Sequence, residues 1–160
     1  MLRGSAICAL ATLGLMASAR AEMSVEAARV SVAPFYKALN AEFAKDSPDL
    51  VRQATTPDWV SCRGNNDCNT RDQVIAGIGG RLKSVPDLKW EIKEIAVAGN
   101  QVTVRGEATG TPSADFMGAP HSGKSFRLMS IDVHTLDNGR MVRSYHIEDW
   151  MGAVRQLTAK

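Results

Sequence analysis

The sequence predicts an α+β fold in which a short run of helices covers one face of a sheet of antiparallel strands. Three observations carry this. Apolar residues recur mostly at helical spacing in the first half of the chain and alternate with polar ones after Pro86. The alternating half is interrupted by Gly99-Asn100 and Asp137-Asn138-Gly139, residue types suited to tight turns between paired strands. No repeat, low-complexity tract or linker divides the 160 residues, so one core serves the whole domain.

The elements follow in order. Val32, Phe35, Leu39 and Phe43 share one helical face, which predicts a first helix reaching about residue 44. Pro34 either sits in its first turn or kinks a longer helix that begins near Ser24. Ser47-Pro48-Asp49 supplies a cap, a rigid first position and an acid beside the helix dipole. A short second helix therefore starts there and ends before Thr55. Residues 59–62 suit a brief strand. Thr70 with Gln73 forms a capping pair for a third helix, whose Val74, Ile78 and Leu82 make the buried stripe. Gly79 and Gly80 weaken the end of that helix. Strands are expected over 89–98, 101–109, 125–136 and 140–148, then a closing helix over 150–157. Asp149 stands where that helix needs an N-cap.

Apolar residues make up 44% and charged residues 22%, the proportions of an ordinary soluble domain. They exclude a disordered, collagen-like or multi-span membrane chain. The formal net charge of +2 arises at the N-terminus. Residues 1–21 contain Arg3 and Arg20 and no acid, leaving seventeen basic and seventeen acidic residues in 22–160. A neutral chain without a basic stripe argues against a nucleic-acid partner and gives no electrostatic reason to bind anionic lipid.

Residues 1–21 read as a secretory signal peptide. Arg3 gives a positive start, residues 6–16 an apolar run too short to span a bilayer, and Ala19-Arg20-Ala21 a small-x-small cleavage site. The expected mature domain is 22–160, periplasmic or secreted, with no membrane association after cleavage. Export sets the redox context. Cys62 and Cys68, with five residues between them, are expected to form a disulfide in an oxidising compartment, with a loop-closure gain of roughly 2 kcal/mol.

The last hairpin holds the densest reactive cluster. Ser130, Asp132 and His134 point to one face of the outgoing strand; Ser144, His146 and Glu148 share a face of the return strand. A type I turn with a bulge at Gly139 pairs Leu136 with Arg140, which sets Asp132 opposite Ser144 and diagonal to His146. Asp132 and His146 can then form a carboxylate–imidazole pair, the carboxylate fixing the ring's tautomer and raising its basicity. A one-residue slip sends them to opposite faces. Asp132, His134 and His146 also compose a two-His-one-carboxylate set, but no recognised metal motif accompanies them and no metal is expected. Trp59 and Trp90 are candidate apolar ligand contacts, and His121 is a loop residue at a possible pocket rim. Met129, Ile131 and Val133 face away from Asp132 and suit a dimer interface.

These residues resemble a known family. Phe35-Tyr36-Lys37-Ala38-Leu39-Asn40, Pro86-Asp87-Leu88, the loop running from Phe116 through Gly118, Pro120 and Gly123 to Lys124, and the tail from Gly139 through Gly152 to Gln156-Leu157 are similar, in order and spacing, to the SnoaL-like polyketide cyclases or ester cyclases. These belong to the nuclear-transport-factor-two-like superfamily, and the likeness runs over about 28–157. The resemblance implies a cone: a curved antiparallel sheet wrapped around about three helices, a cystatin-like α+β barrel with a pocket at its open end. It implies an intramolecular aldol closure without metal or organic cofactor. In the family's cyclases an acid/base Asp stands where this chain has His146, and a His stands where it has Asp132. The pair is therefore present with its types exchanged, and Tyr145 replaces the usual Trp.

Two functional readings follow. One is an exported, cofactor-free acid/base cyclase or isomerase for a small apolar carbonyl compound. In it His146 is the base, Asp132 orients it, and Ser130 and His134 donate to the developing enolate. The other is a non-catalytic ligand-binding or homodimeric interaction module of the same fold.

Overall fold

A computed structural model of the chain describes residues 23–160. The expected signal peptide, residues 1–21, lies outside the described residues. Four helices and six strands follow the order α1 (Val25–Ala38), a 3-10 turn (Ala41–Phe43), α2 (Ser47–Ala54), β1 (Thr55–Cys62), β2 (Cys68–Thr70), α3 (Arg71–Ser84), β3 (Lys89–Ala98), β4 (Gln101–Gly110), β5 (Phe126–Asp137), β6 (Arg140–Glu148) and α4 (Trp150–Thr158). The strands make one curved, open sheet in the order β2-β1-β6-β5-β4-β3. All neighbours pair antiparallel except β1 and β6, which are parallel, so the expected wholly antiparallel sheet gains one parallel seam. Among the described residues no helix is long and apolar enough to cross a membrane.

The longer form of the first helix is the one that folds. Ser24 caps it by accepting from the Ala27 N–H, and Pro34 lies inside it. There Pro34 forfeits a bond to the carbonyl of Val30, a residue 66% exposed, where water can replace it. The helix stops at Ala38 instead of continuing to about residue 44. The cause is Asn40, whose side chain donates to the Tyr36 and Trp90 carbonyls and accepts from the Trp90 N–H at 2.9 Å. Its amide competes with helix propagation and ties the end of α1 to β3. In α2 the N-cap is Asp46 rather than Ser47, so Pro48 falls one position later than expected.

β1 begins four residues before the expected strand. Pro57 disguises it, and the pairing with β6 is irregular between Thr55 and Val60, around that proline. β2 is only three residues long and carried no periodic signal. It pairs Cys68 with Cys62, and a disulfide joins the two. Thr70 and Gln73 form a reciprocal capping box on α3, which runs through Gly79 and Gly80 to Ser84. Ala28, Val32, Phe35, Tyr36, Ile78 and Leu82 from the helices pack on Val102, Val104, Ala108, Leu128, Leu136 and Met141 of the sheet.

The β5–β6 turn differs from the bulged type I turn expected at Gly139. Asn138 and Gly139 both take positive φ, 47° and 75°, so the loop has two residues and Asp137 pairs with Arg140. Continued unbroken, that register would set Asp132 against Tyr145, on the wrong face. A bulge intervenes, with Leu136 opposite Met141 but Thr135 opposite Arg143. The extra residue, Val142, restores the parity. Asp132 consequently faces His146 directly instead of lying diagonal to it.

Candidate active site

Three cross-strand pairs line the inner face of this hairpin: Ser130 with Glu148, Asp132 with His146, and His134 with Ser144. Side chains so opposed stand roughly 5 Å apart at Cβ. Above them is a cavity of about 240 Å³ between the sheet, α1 and α3. Phe35, Leu39, Val74, Ile78, Leu88 and Trp90 give it apolar walls; Asp132, His134, Ser144, His146 and Glu148 give it a polar floor. Gly106 on β4 makes room for that floor. A Cβ there would stand 2.6 Å from Ser130 Oγ and 2.8 Å from Trp90 Nε1.

The buried hydrogen bonds form one directed chain. The Trp59 indole, which can only donate, gives its N–H to Ser144 Oγ at 2.9 Å. Ser144 Oγ lies 2.7 Å from His134 Nδ1, and His134 Nε2 lies 3.0 Å from the Tyr36 hydroxyl. His134 is fully buried and neutral, because burial pulls it down to about 3, with the His146 charge adding to the effect. The Asp132 carboxylate can only accept from Tyr36, so the Tyr36 hydroxyl accepts from His134 Nε2, which leaves Nδ1 to accept from Ser144. His134 then carries its proton on Nε2 and donates to Tyr36. The Tyr36 hydroxyl donates to Asp132, as does Ser130 Oγ at 3.2 Å. Burial, and then the Asp132 charge, hold Tyr36 well above the usual phenol range, so it keeps its proton.

Asp132 is 5% exposed, and burial pushes its carboxyl up to about 6. The two hydroxyls and the His146 charge limit the rise, while the Glu148 charge adds to it. His146 is set differently. Its Nδ1 lies 3.2 Å from Glu148 Oε1, so Glu148, not Asp132, holds the ring. Burial opposes a charge on His146, but the hydrogen bond and charge of Glu148, helped by Asp132, raise it above the ordinary imidazole value. Burial likewise opposes the Glu148 carboxylate, yet His146 and the Trp150 N–H at 2.7 Å hold it below the usual range.

Of the residues expected to meet a ligand, Trp90 and His134 line the cavity. Ser130 and Trp59 lie buried behind it and act on Asp132 and Ser144 instead. His121 is on an exposed loop beside a separate hollow of about 10 Å³, room for no more than a water. Asp149 caps α4, its Oδ1 accepting from the Gly152 N–H. The sequence reading missed Tyr36, Arg63 and Arg81. Tyr36 lies one helical turn from Val32, and Arg81 shares a face of α3 with Val74 and Ile78, so their spacing carried a signal.

A curved sheet wrapped on helices over an apolar cavity with a titratable floor defines the nuclear-transport-factor-two-like class of fold. Residues 33–157 match the family described as SnoaL-like polyketide cyclase, and the chain belongs to that family. Among solved structures it resembles IdmH of Streptomyces antibioticus, a candidate polyketide cyclase, at 24% identity and TM-score 0.71, covering 81% of this chain and 97% of that one. It also resembles TsrD of Streptomyces laurentii, at 22% identity and TM-score 0.68, covering 82% and 98%. A SnoaL-like polyketide cyclase of Agrobacterium tumefaciens strain C58 is similar at 15% identity and TM-score 0.66, covering 84% and 99%. At these identities the likeness is one of fold. No curated protein matches the sequence.

Proposed function

We propose that the protein is an acid/base catalyst of the cyclase or isomerase kind, acting on a small apolar carbonyl compound through these side chains alone. The observation that carries this reading is the register of β5 and β6, which sets the buried Asp132 carboxyl against the His146 imidazole in the floor of an apolar cavity. The volume of about 240 Å³ is just under the roughly 300 Å³ at which pockets for drug-sized molecules begin, which suits a small compound.

The hydrogen bonding favours roles opposite to those read from the sequence. Asp132, ionised above about pH 6, takes a proton from the carbon next to a carbonyl. His146, held as imidazolium by Glu148, donates to the carbonyl oxygen as negative charge gathers there. The enol returns its O–H proton to His146 as its carbon either attacks a second carbonyl of the same molecule, whose oxygen takes the proton held by Asp132, or takes that proton itself at another carbon. The test is deuterium uptake at the α-carbon of 2-tetralone in D2O, followed by NMR. The protein should accelerate uptake over buffer, with a rate that rises as Asp132 ionises and falls as His146 loses its proton. Uptake at the buffer rate overturns catalysis and leaves the ligand-binding module.

The protein is also an exported homodimer in this reading. Its disulfide and N-terminal segment support export. Met129, Ile131, Tyr145 and Ile147 support pairing, because they form an exposed apolar stripe on the outer face of β5 and β6, with Ile147 74% exposed. Native mass spectrometry of protein from the periplasm should give two chains, each beginning at Glu22. A single chain refutes the dimer, and a chain beginning at Met1 refutes the cleavage.

A further inference from the structure

The proposed chemistry uses the floor of the cavity and leaves one wall unexplained. Arg81, on α3, lines that wall, and among the described residues its guanidinium has no hydrogen-bonded acceptor. Its Nη1 is buried and unpartnered. The group is nonetheless held in place, its Cζ lying over the Trp150 ring at 4.2 Å from the centroid. The Trp90 indole N–H, packed against Gly106 on a residue 6% exposed, also lacks an acceptor. Trp90 is itself anchored through its backbone by Asn40. Arg81 can neither accept a hydrogen bond nor shed its charge, so what it lacks is an anionic acceptor.

The charges agree. Arg63, Arg81 and His146 line the cavity against Asp132 and Glu148. Glu148 is already committed to His146 and Trp150, and Asp132 to Ser130 and Tyr36. Arg63 is itself paired with Asp67 at 3.0 Å, so Arg81 is the cavity cation that no hydrogen bond holds, and it stands beside apolar walls. A buried donor without a partner carries a desolvation cost that an incoming acceptor removes. A guanidinium is matched by a carboxylate, which it can hold through two parallel bonds.

We propose that the natural ligand is an acid: an apolar carbonyl compound bearing a free carboxylate, which Arg81 binds on the α3 wall while the reacting carbon lies over Asp132. This deepens the proposed function and rests on its choice of cavity. It makes Arg81 a specificity-determining residue that selects acids over neutral esters and ketones.

The test is calorimetric titration at pH 7.5 with 2-naphthoate and with its methyl ester, two probes that differ only in the charge at one end. The intact protein should bind the acid at least tenfold more tightly. Arg81→Gln should bring the ratio close to one, and Arg81→Lys, which keeps the charge but not the fork, should retain part of it. Equal binding of acid and ester by the unaltered protein overturns the inference, with no variant needed. Failure of both probes to bind at millimolar concentration also overturns it, as does a preference that survives Arg81→Gln. Binding is read here without turnover. A protein that exchanges the protons of 2-tetralone but shows no acid preference therefore keeps its catalytic assignment and loses only this one.

Discussion

Asp132→Asn should cut the catalysed uptake of deuterium at least 100-fold, the usual worth of a positioned general base. The same substitution should stabilise the fold at pH 8 by about 3 kcal/mol. Both effects have one cause. The carboxyl is buried and pushed up to about 6, from an unperturbed value near 4. Above pH 6 the native state therefore holds a charge that the unfolded chain would rather expose, and about two pH units of displacement correspond to about 3 kcal/mol. Asn keeps the shape and an oxygen for Ser130 and Tyr36, and removes the charge. The sign follows from proton binding. Between about pH 4 and 6 the folded state binds the Asp132 proton and the unfolded state does not, so this contribution to stability is present below pH 4 and lost as pH rises through 6. The gain from Asn should accordingly vanish at pH 4.

His134 works in the opposite direction. Its folded value of about 3 lies below the ordinary imidazole range, so acid favours the unfolded chain from about pH 6.5 downward. In the native protein the two shifts offset one another between pH 4 and 6. In Asp132→Asn the His134 contribution is no longer offset, and stability should fall with acid across that interval. Urea denaturation at pH 4, 6 and 8 reads all of this. A variant no more stable than the parent at pH 8 would show that Asp132 carries no desolvation strain.

Tyr36→Phe should act on the same pair from the other side. The hydroxyl accepts from His134 and donates to Asp132, so its loss leaves a buried His134 N–H without a partner, at a cost of about 1–3 kcal/mol. The Asp132 carboxylate also loses one of the donors that hold its pKa down. The acid limb of the exchange rate should move to higher pH, and at pH 6 the rate should fall about tenfold, the worth of one hydrogen bond to a charged group. A purely structural role for Tyr36 would lower the unfolding midpoint and leave the limb where it was. A profile that superimposes on the parent's would therefore remove Tyr36 from the positioning of Asp132.

Much of the site could be read because strand alternation is local. Ser130, Asp132 and His134, and Ser144, His146 and Glu148, reached the inner face simply by being two residues apart on strands of an inward-facing parity. The expected turn was nevertheless of the wrong type. Its predicted bulge at Gly139 and the real one at Val142 each shift the register, so the faces came out right while the partners moved by one pair. A bulge depends on how β6 must bend to meet both β5 and β1, and β1 lies some eighty residues away in sequence. The helix ends show the same division. Thr70 and Gln73 announced α3 because a capping box is complete within four residues. The stop after Ala38 could not be read, because Asn40 ends α1 by bonding to Trp90, fifty residues further on.

The sequence by itself determined a neutral α+β domain, the positions of its main strands, and a hairpin whose inward face carries two histidines and two carboxylates. Those properties depend on periodicity and side-chain chemistry, which act over a few residues. The tertiary structure alone decided that Asp132 faces His146 across β5 and β6, that Tyr36 reaches Asp132 from α1, and that Arg81 meets the cavity from α3. Each of these joins elements whose separation along the chain, or whose register, is fixed only when helices and sheet close on a common core.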